Sequence, residues 1–215
     1  MLAVLFFVFS TMFKSEIEYF PIYLLSGLIT YNFFKNGTTI ALSSLSNRSA
    51  LITQIYFPRS IPAISSIFTA SIMLIVELAV LGVFMVYFQF TPSLTILYLI
   101  PIYMLAFVLV LGIALGLSVL NVKFRDVEFI WGIILHAGFF LTPIFYRFDM
   151  LPEEIRNILQ LSPVVQIVEM VHHVTLYGTL PALNSILYSV GSIFIILGIG
   201  YLIFRRYQAR IVEEL

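Results

Sequence analysis

Long apolar stretches alternate with short polar ones along this chain. Residues 78–122 contain no Asp, Glu, Lys or Arg, and neither do residues 129–146. Between them lies a charged island, Asn121-Val122-Lys123-Phe124-Arg125-Asp126-Val127-Glu128. Ionised groups are costly within hydrocarbon, so the island marks a place where the chain leaves a membrane. The apolar runs are continuous and do not alternate, which predicts spanning helices, not barrel strands. One crossing takes roughly 20 apolar residues, so the run 78–122 is too long for one. It breaks at Gln89-Phe90-Thr91-Pro92-Ser93, a turn-like stretch. The pattern therefore predicts a helical hairpin over 61–88 and 95–120, with further spans over 19–41, 128–146 and 184–204. Residues 1–13 are strongly apolar but reach only about 20 Å as a helix. They read as an interfacial piece or as part of a first span.

The stretch 147–183 breaks this rhythm. Asp149 is placed to cap a short helix whose first turn holds Pro152, Glu153 and Glu154, since proline suits the first helical position and acids suit the positive dipole end. Ser162-Pro163 repeats the signal, an N-cap followed by an N1 proline. A helix from there to Tyr177 ends naturally at Gly178. At about 22 Å it is short of a crossing. Two short re-entrant or interfacial helices are expected, on the same side of the membrane.

Composition agrees with the pattern. Of 215 residues, 61% are hydrophobic and 10% are charged, against about 25% charged in soluble domains. Eleven basic and eleven acidic residues cancel, which argues against a nucleic-acid binder. There is no cysteine, so no disulfide framework or Cys-based metal site. The first residues lack the positive region of a cleaved signal peptide. Charge sets orientation through the positive-inside rule. With the C-terminus in the cytoplasm, Arg48, Arg59, Lys123, Arg125, Arg205, Arg206 and Arg210 fall inside, whereas Lys14, Arg147 and Arg156 fall outside. Segment 147–183 is then external.

Several pieces, in order along nearly the whole chain, resemble a known family. They are Tyr19-Phe20-Pro21-Ile22-Tyr23-Leu24-Leu25-Ser26-Gly27-Leu28, Asn32-Phe33-Phe34, Tyr56-Phe57-Pro58-Arg59, Asn121-Val122-Lys123-Phe124-Arg125-Asp126, Leu141-Thr142-Pro143-Ile144-Phe145-Tyr146, Leu151-Pro152 and Leu161-Ser162-Pro163. Together they resemble the ABC-2 type permeases that export polysaccharides such as O-antigen, teichoic acid and capsule. The resemblance implies an all-α integral membrane domain over 1–215. Its expected form is a six-span ABC-2 (type V exporter-like) fold, the first span truncated, with two short re-entrant outer helices before the last span. It implies a multi-pass subunit of a bacterial or archaeal cytoplasmic membrane, working as a homodimer among membrane lipids. Two ATP-binding cassette subunits would hold the ATP and Mg, and a lipid-linked glycan would be the substrate. This sequence carries no G-x-x-x-x-G-K-[ST] loop, so the chain is expected to be a transport subunit with no cofactor of its own. The family usually has Asn before the second outer proline, where Ser162 stands here, and often Arg where this chain has His172.

The resemblance also assigns roles. The connection 44–60 resembles a coupling helix that an ATPase grips, carried by Asn47, Arg48, Leu51, Gln54, Phe57, Pro58 and Arg59, with Arg125 and Asp126 as a second contact. The plainer reading is an interfacial loop, with Asp126 capping the next helix and Arg125 anchoring at headgroups. Thr142, Pro143, Tyr146, Pro152, Ser162 and Pro163 fall at the outer gate. Tyr31, Phe33 and Phe34 are candidate channel aromatics, since aromatic faces stack on sugar rings; the alternative is lipid-facing or interfacial packing. Glu77 lies in a span, with Lys35 as its possible partner. His136, His172 and His173 lack the clustered acids of a metal site, and Glu169 one turn earlier suggests a hydrogen-bonded pair. Gly112-x-x-x-Gly116 fits a dimer face or tight packing within one chain. An ABC-2 exporter of drugs or other small molecules remains open, as does a membrane enzyme acting on lipid-linked sugars. The enzyme would need clustered acids at one face.

Overall fold

The computed structural model describes residues 19–48 and 58–208. Among them every regular element is helical: α1 (Phe20–Leu42), α2 (Ser60–Tyr87), α3 (Leu99–Lys123), α4 (Asp126–Leu141), α5 (Glu153–Leu159), α6 (Pro163–His172) and α7 (Leu183–Tyr207). Short 3-10 turns occupy Ser46–Arg48, Leu94–Tyr98 and Phe148–Met150, and a π-helical turn, His173–Tyr177, continues α6. Among the described residues, three stretches are long and apolar enough to cross a membrane: Ser60–Tyr87, Leu94–Lys123 and Leu183–Tyr207. They overlap the expected 61–88, 95–120 and 184–204. Large apolar side chains on them, among them Val83, Met104 and Leu202, stay exposed, which suits lipid and would not suit water. The fold is an all-α, multi-pass membrane fold.

Helix α1 has a different character. It carries Thr30, Asn32, Lys35, Asn36, Thr38 and Thr39, yet Ile22, Leu24, Ser26 and Thr38 are fully buried. Its hydroxyls are satisfied locally: Ser26 Oγ donates to the Tyr23 carbonyl at 2.9 Å, Thr30 Oγ1 to Ser26 at 2.8 Å and Thr38 Oγ1 to Phe34 at 2.9 Å. Such back-bonding lets polar residues occupy a buried helix without orphaned groups.

Two expected boundaries shift. Helix α4 ends at Leu141, so the continuous span over 128–146 is corrected. Pro143 has no N–H and disfavours helical geometry at Thr142, and residues 142–146 form bends instead. The proposed capping of the first outer helix by Asp149 is also corrected. Asp149 lies in the 3-10 turn and pairs with Arg147 at 3.1 Å. Pro152 itself holds the N-cap position of α5, with φ −53° and ψ 144°. Leu151 before it is extended, at φ −79° and ψ 144°, as a residue preceding proline should be.

The chain packs as two compact units. Among described residues, one comprises 19–32, 74–103 and 138–189, the other 33–48, 58–73, 104–137 and 190–208. The second unit has a core of Leu45, Ala63, Leu115, Val119 and Phe204. Within it α3 and α7 approach at backbone distance. A Cβ on Gly112 would lie 2.6 Å from the Leu197 Cα, and one on Gly200 would overlap the Gly112 carbonyl. The small residues of the Gly112–Gly116 motif therefore serve packing inside one chain, as small-residue helix contacts do in membranes. Trp131 Nε1 donates to Thr38 Oγ1 at 3.1 Å, and the Lys123 ammonium lies 4.9 Å from the centre of the Tyr207 ring.

The first unit holds the half-buried Glu77. Its carboxyl is hydrogen-bonded by the Asn32 side chain, so the acid at membrane depth has a neutral polar partner. Lys35, the partner suggested by sequence, is exposed.

Candidate functional site

The residues expected at an outer gate lie in the first unit, on the irregular chain between α4 and α7. Thr142, only 2% exposed, closes α4: its amide and its Oγ1 both donate to the Gly138 carbonyl, at 2.9 and 2.7 Å. The Ile144 amide then reaches the Thr142 carbonyl at 2.7 Å, a three-residue turn. The carbonyls of Pro143 and Tyr146 both accept from one donor, the Tyr23 hydroxyl of α1, at 3.2 and 2.7 Å. The Tyr146 hydroxyl donates back to Leu141 at 2.8 Å. Thr142, Pro143 and Tyr146 thus form one hydrogen-bonded bend anchored to α1. Phe139, Phe140, Phe145 and Tyr146 make a run of ring contacts beside it, and Tyr31 meets Phe139 edge-on at 5.5 Å.

After the bend, Phe148, Leu159 and Val165 pack together over Leu151, joining the 3-10 turn to α5 and α6. Outside this cluster Asp149 hydrogen-bonds Arg147 and holds its guanidinium pKa above the ordinary value. Pro152 is exposed. Ser162 does occupy the N-cap position of α6, extended at φ −80° and ψ 118°, and Pro163 follows inside the helix. The side-chain cap expected of Ser162 is absent; its backbone carbonyl accepts from the Gln166 amide at 3.2 Å. The second outer helix does run to Tyr177 and end at Gly178, which adopts φ 61°. Its last five residues, however, are π-helical. Such turns are rare and concentrate at functional sites.

Helix α6 is keyed into α1 by His172, which is fully buried. Its ring stacks on Tyr23, with centroids 3.8 Å apart and planes at 23°. Nε2 lies 3.2 Å from the Tyr23 carbonyl; that acceptor assigns the proton to Nε2. Nδ1 faces Glu169 Oε1 at 3.7 Å, an ion-pair distance with no hydrogen bond. Gly27 makes room: a Cβ there would come 3.1 Å from Nε2 and 3.2 Å from the Ile144 Cα. Tyr23, Gly27 and His172 are therefore one contact. The sequence reading missed it, although Tyr23 and Gly27 are spaced one helical turn apart on one face. His173 takes a different partner, Thr179 Oγ1 at 3.0 Å, and His136 Nδ1 lies 2.7 Å from the Gly132 carbonyl. Among the described residues, no group of three or more His, Asp or Glu is placed to hold a metal ion.

The residues expected to couple to an ATPase are only partly described. Leu51, Gln54 and Phe57 lie outside the described residues. Asn47 is exposed, in the 3-10 turn that includes Arg48. The carbonyl of Pro58 accepts from the Ile61 amide at 3.1 Å and starts α2, while Arg59 donates to the Gln208 carbonyl at the end of α7. Arg125 and Asp126 are exposed, and Asp126 opens α4 with Glu128 in the same turn, where acids complement the dipole. Tyr31 and Phe33 are each 2% exposed. Phe34 is half-buried and tilts against Trp131 at 6.2 Å.

Apolar helices long enough to cross a membrane, joined to a hydrogen-bonded segment of short helices, describe a multi-pass membrane protein. Residues 1–176 match the ABC-2 type transporter family, and the chain belongs to that family. It is a transport subunit, not an enzyme. It is similar to two proteins of Klebsiella pneumoniae, each described as an O-antigen export system permease protein RfbA. They are 28% and 29% identical over 98% of this chain and 81% of the relative. An RfbA of the same description from Myxococcus xanthus is 24% identical over 74% of this chain and 62% of its own length.

Proposed function

We propose that this chain is the membrane subunit of an ATP-driven exporter that carries a lipid-linked polysaccharide across the cytoplasmic membrane. The observation that carries the proposal is similarity over 98% of the chain to permeases described as O-antigen exporters. In this reading the domain has six spans, near 1–13 (partial), 19–41, 61–88, 95–120, 128–146 and 184–204, the fifth ending early at Leu141. The C-terminus, the segment 44–60 and the charged island lie in the cytoplasm, and 147–183 lies outside. The distribution of basic residues supports this orientation.

Two copies would form the channel, and two ATP-binding subunits would drive it. Asn47, Arg48, Leu51, Gln54, Phe57, Pro58 and Arg59 would couple to the ATPase, with Arg125 and Asp126 beside them. Exposure of Asn47, Arg125 and Asp126 is consistent with a docking role. Thr142, Pro143, Tyr146, Pro152, Ser162 and Pro163 would shape the exit. Among the candidate channel aromatics, half-buried Phe34 is the ring able to meet a sugar, with Tyr31 and Phe33 supporting the wall from within. The test is purification of the tagged chain from its native membrane. An ATPase subunit should co-purify, and its ATP turnover should rise with lipid-linked glycan from the same cells. Turnover that responds to apolar drugs and not to glycan would replace this reading with a small-molecule exporter.

A further inference from the structure

Beside the His172 contact, a cavity of about 620 Å³ opens between α5, α6, the loop after Gly178 and the start of α7. Its volume falls within the range of about 300–1,000 Å³ typical of small-ligand sites. Each helix contributes a polar stripe at helical spacing. Asn157 and Gln160 come from the end of α5; Gln166, Glu169 and His173 come from α6 and its π-helical continuation; Asn184, Ser185 and Tyr188 come from the first turns of α7. The polar wall is partly fixed in place. Gln166 Nε2 donates to the Gln160 carbonyl at 2.5 Å, its Oε1 accepts from Ser189 Oγ, and the Tyr188 hydroxyl donates to Leu161 at 3.4 Å.

The chemistry of the lining is selective. Among the described residues, no Lys or Arg lines the cavity and Glu169 is its one carboxylate, so a phosphate or other anion would meet no counter-charge from them. The side-chain amides of Asn157, Gln160 and Asn184 offer paired donors and acceptors, which is what vicinal hydroxyls require. Leu161, Leu180 and Pro181 supply an apolar wall for the C–H face of a ring. Asn157, Gln160, Asn184, Ser185 and Tyr188 are exposed, so the polar groups are reachable from outside.

We propose that this cavity binds one or two neutral sugar residues, and that it receives the exported glycan on the outer face. The sugar class follows from the lining, and its role in transport rests on the exporter reading above. The experiment is saturation-transfer NMR on the purified full chain in lipid nanodiscs. The probes are mannose, galactose and N-acetylglucosamine at about 10 mM, saturating for a millimolar site, with inorganic phosphate as the anion probe. Transfer to sugar ring protons is expected. It should fall about tenfold in the double variant Asn157→Leu with Asn184→Leu, and hold in Glu154→Gln, which lies on α5 outside the cavity. Should the double variant not fold, Ser185→Trp, which fills the cavity, takes its place with the same expectation. No transfer to any of the sugars, undiminished transfer in the variants, or tighter binding of phosphate than of sugar would overturn the proposal. Glycan-stimulated ATP turnover of the wild-type complex is read in parallel. Turnover that responds to glycan without sugar transfer overturns the pocket alone. Sugar transfer with turnover deaf to glycan supports the pocket and overturns the exporter reading.

Discussion

Replacing Tyr23 by Phe isolates the contact that holds the bend at 142–146. Tyr23 is 1% exposed, and its hydroxyl offers one proton to two carbonyls, Tyr146 at 2.7 Å and Pro143 at 3.2 Å. Phe keeps the ring, and so the stack on His172, but removes the donor. An orphaned buried acceptor costs about 1–3 kcal/mol. One proton serves both carbonyls and the Tyr146 end is only part-buried, so the lower half of that range, about 1–2 kcal/mol, applies. In a chain of this size each kcal/mol moves the midpoint by about 2–4 °C, so a fall of about 2–8 °C is expected in thermal unfolding of nanodisc-embedded protein. Hydrogen exchange should quicken in a peptide covering 142–146 and not in one from the middle of α7. Tyr23→Leu also loses the ring stack, worth about 0.5–1.5 kcal/mol, and should melt lower still. A Tyr23→Phe midpoint within about 1 °C of wild type, with exchange at 142–146 unchanged, would refute the reasoning.

Two further substitutions probe packing and coupling. Gly200→Ala should lower yield and stability sharply, by about 1–3 kcal/mol or more, because its Cβ meets the Gly112 carbonyl; Gly82→Ala, with nothing within 4 Å, should be neutral, and equal melting of the two would remove the close-approach argument. Arg48→Glu combined with Phe57→Ala should leave the dimer intact by cross-linking while ATP turnover no longer drives export; normal surface glycan in cells carrying that variant would dismiss the coupling role of 44–60.

Long apolar runs were legible because hydrocarbon leaves few options: α2, with Glu77 as its single charge, α3 and α7 follow the apolar stretches and end where charge or turn residues return. The outer segment was less legible. Proline marked the start of both short helices, yet could not say whether Pro152 caps or follows a cap, and the Asp149 signal was taken by Arg147 instead. The early end of α4 was written in Thr142-Pro143, but an apolar run masked it. Glu77 shows the remaining limit. Asn32 and Lys35 lie three residues apart on α1, and the sequence pointed to Lys35 because it and Glu77 are both charged groups in apolar spans.

The Tyr23–Gly27–His172 contact explains how so irregular a segment holds its shape. Helices of seven and ten residues are too short to be stable alone, and the bends of 142–146 leave carbonyls that no helix satisfies. Both needs are met from one face of α1. Tyr23 presents its hydroxyl to the bend and its ring to His172, while the missing side chain at Gly27 leaves the space that His172 and Ile144 share. Buried backbone outside regular helices must find partners for its polar groups, and a single tyrosine supplies one here for two carbonyls. It follows that Tyr23 and Gly27 are constrained as a pair with His172. His172 fills the socket beside Gly27 with a flat ring, and Glu169, one turn earlier on α6, lies on the wall of the neighbouring cavity.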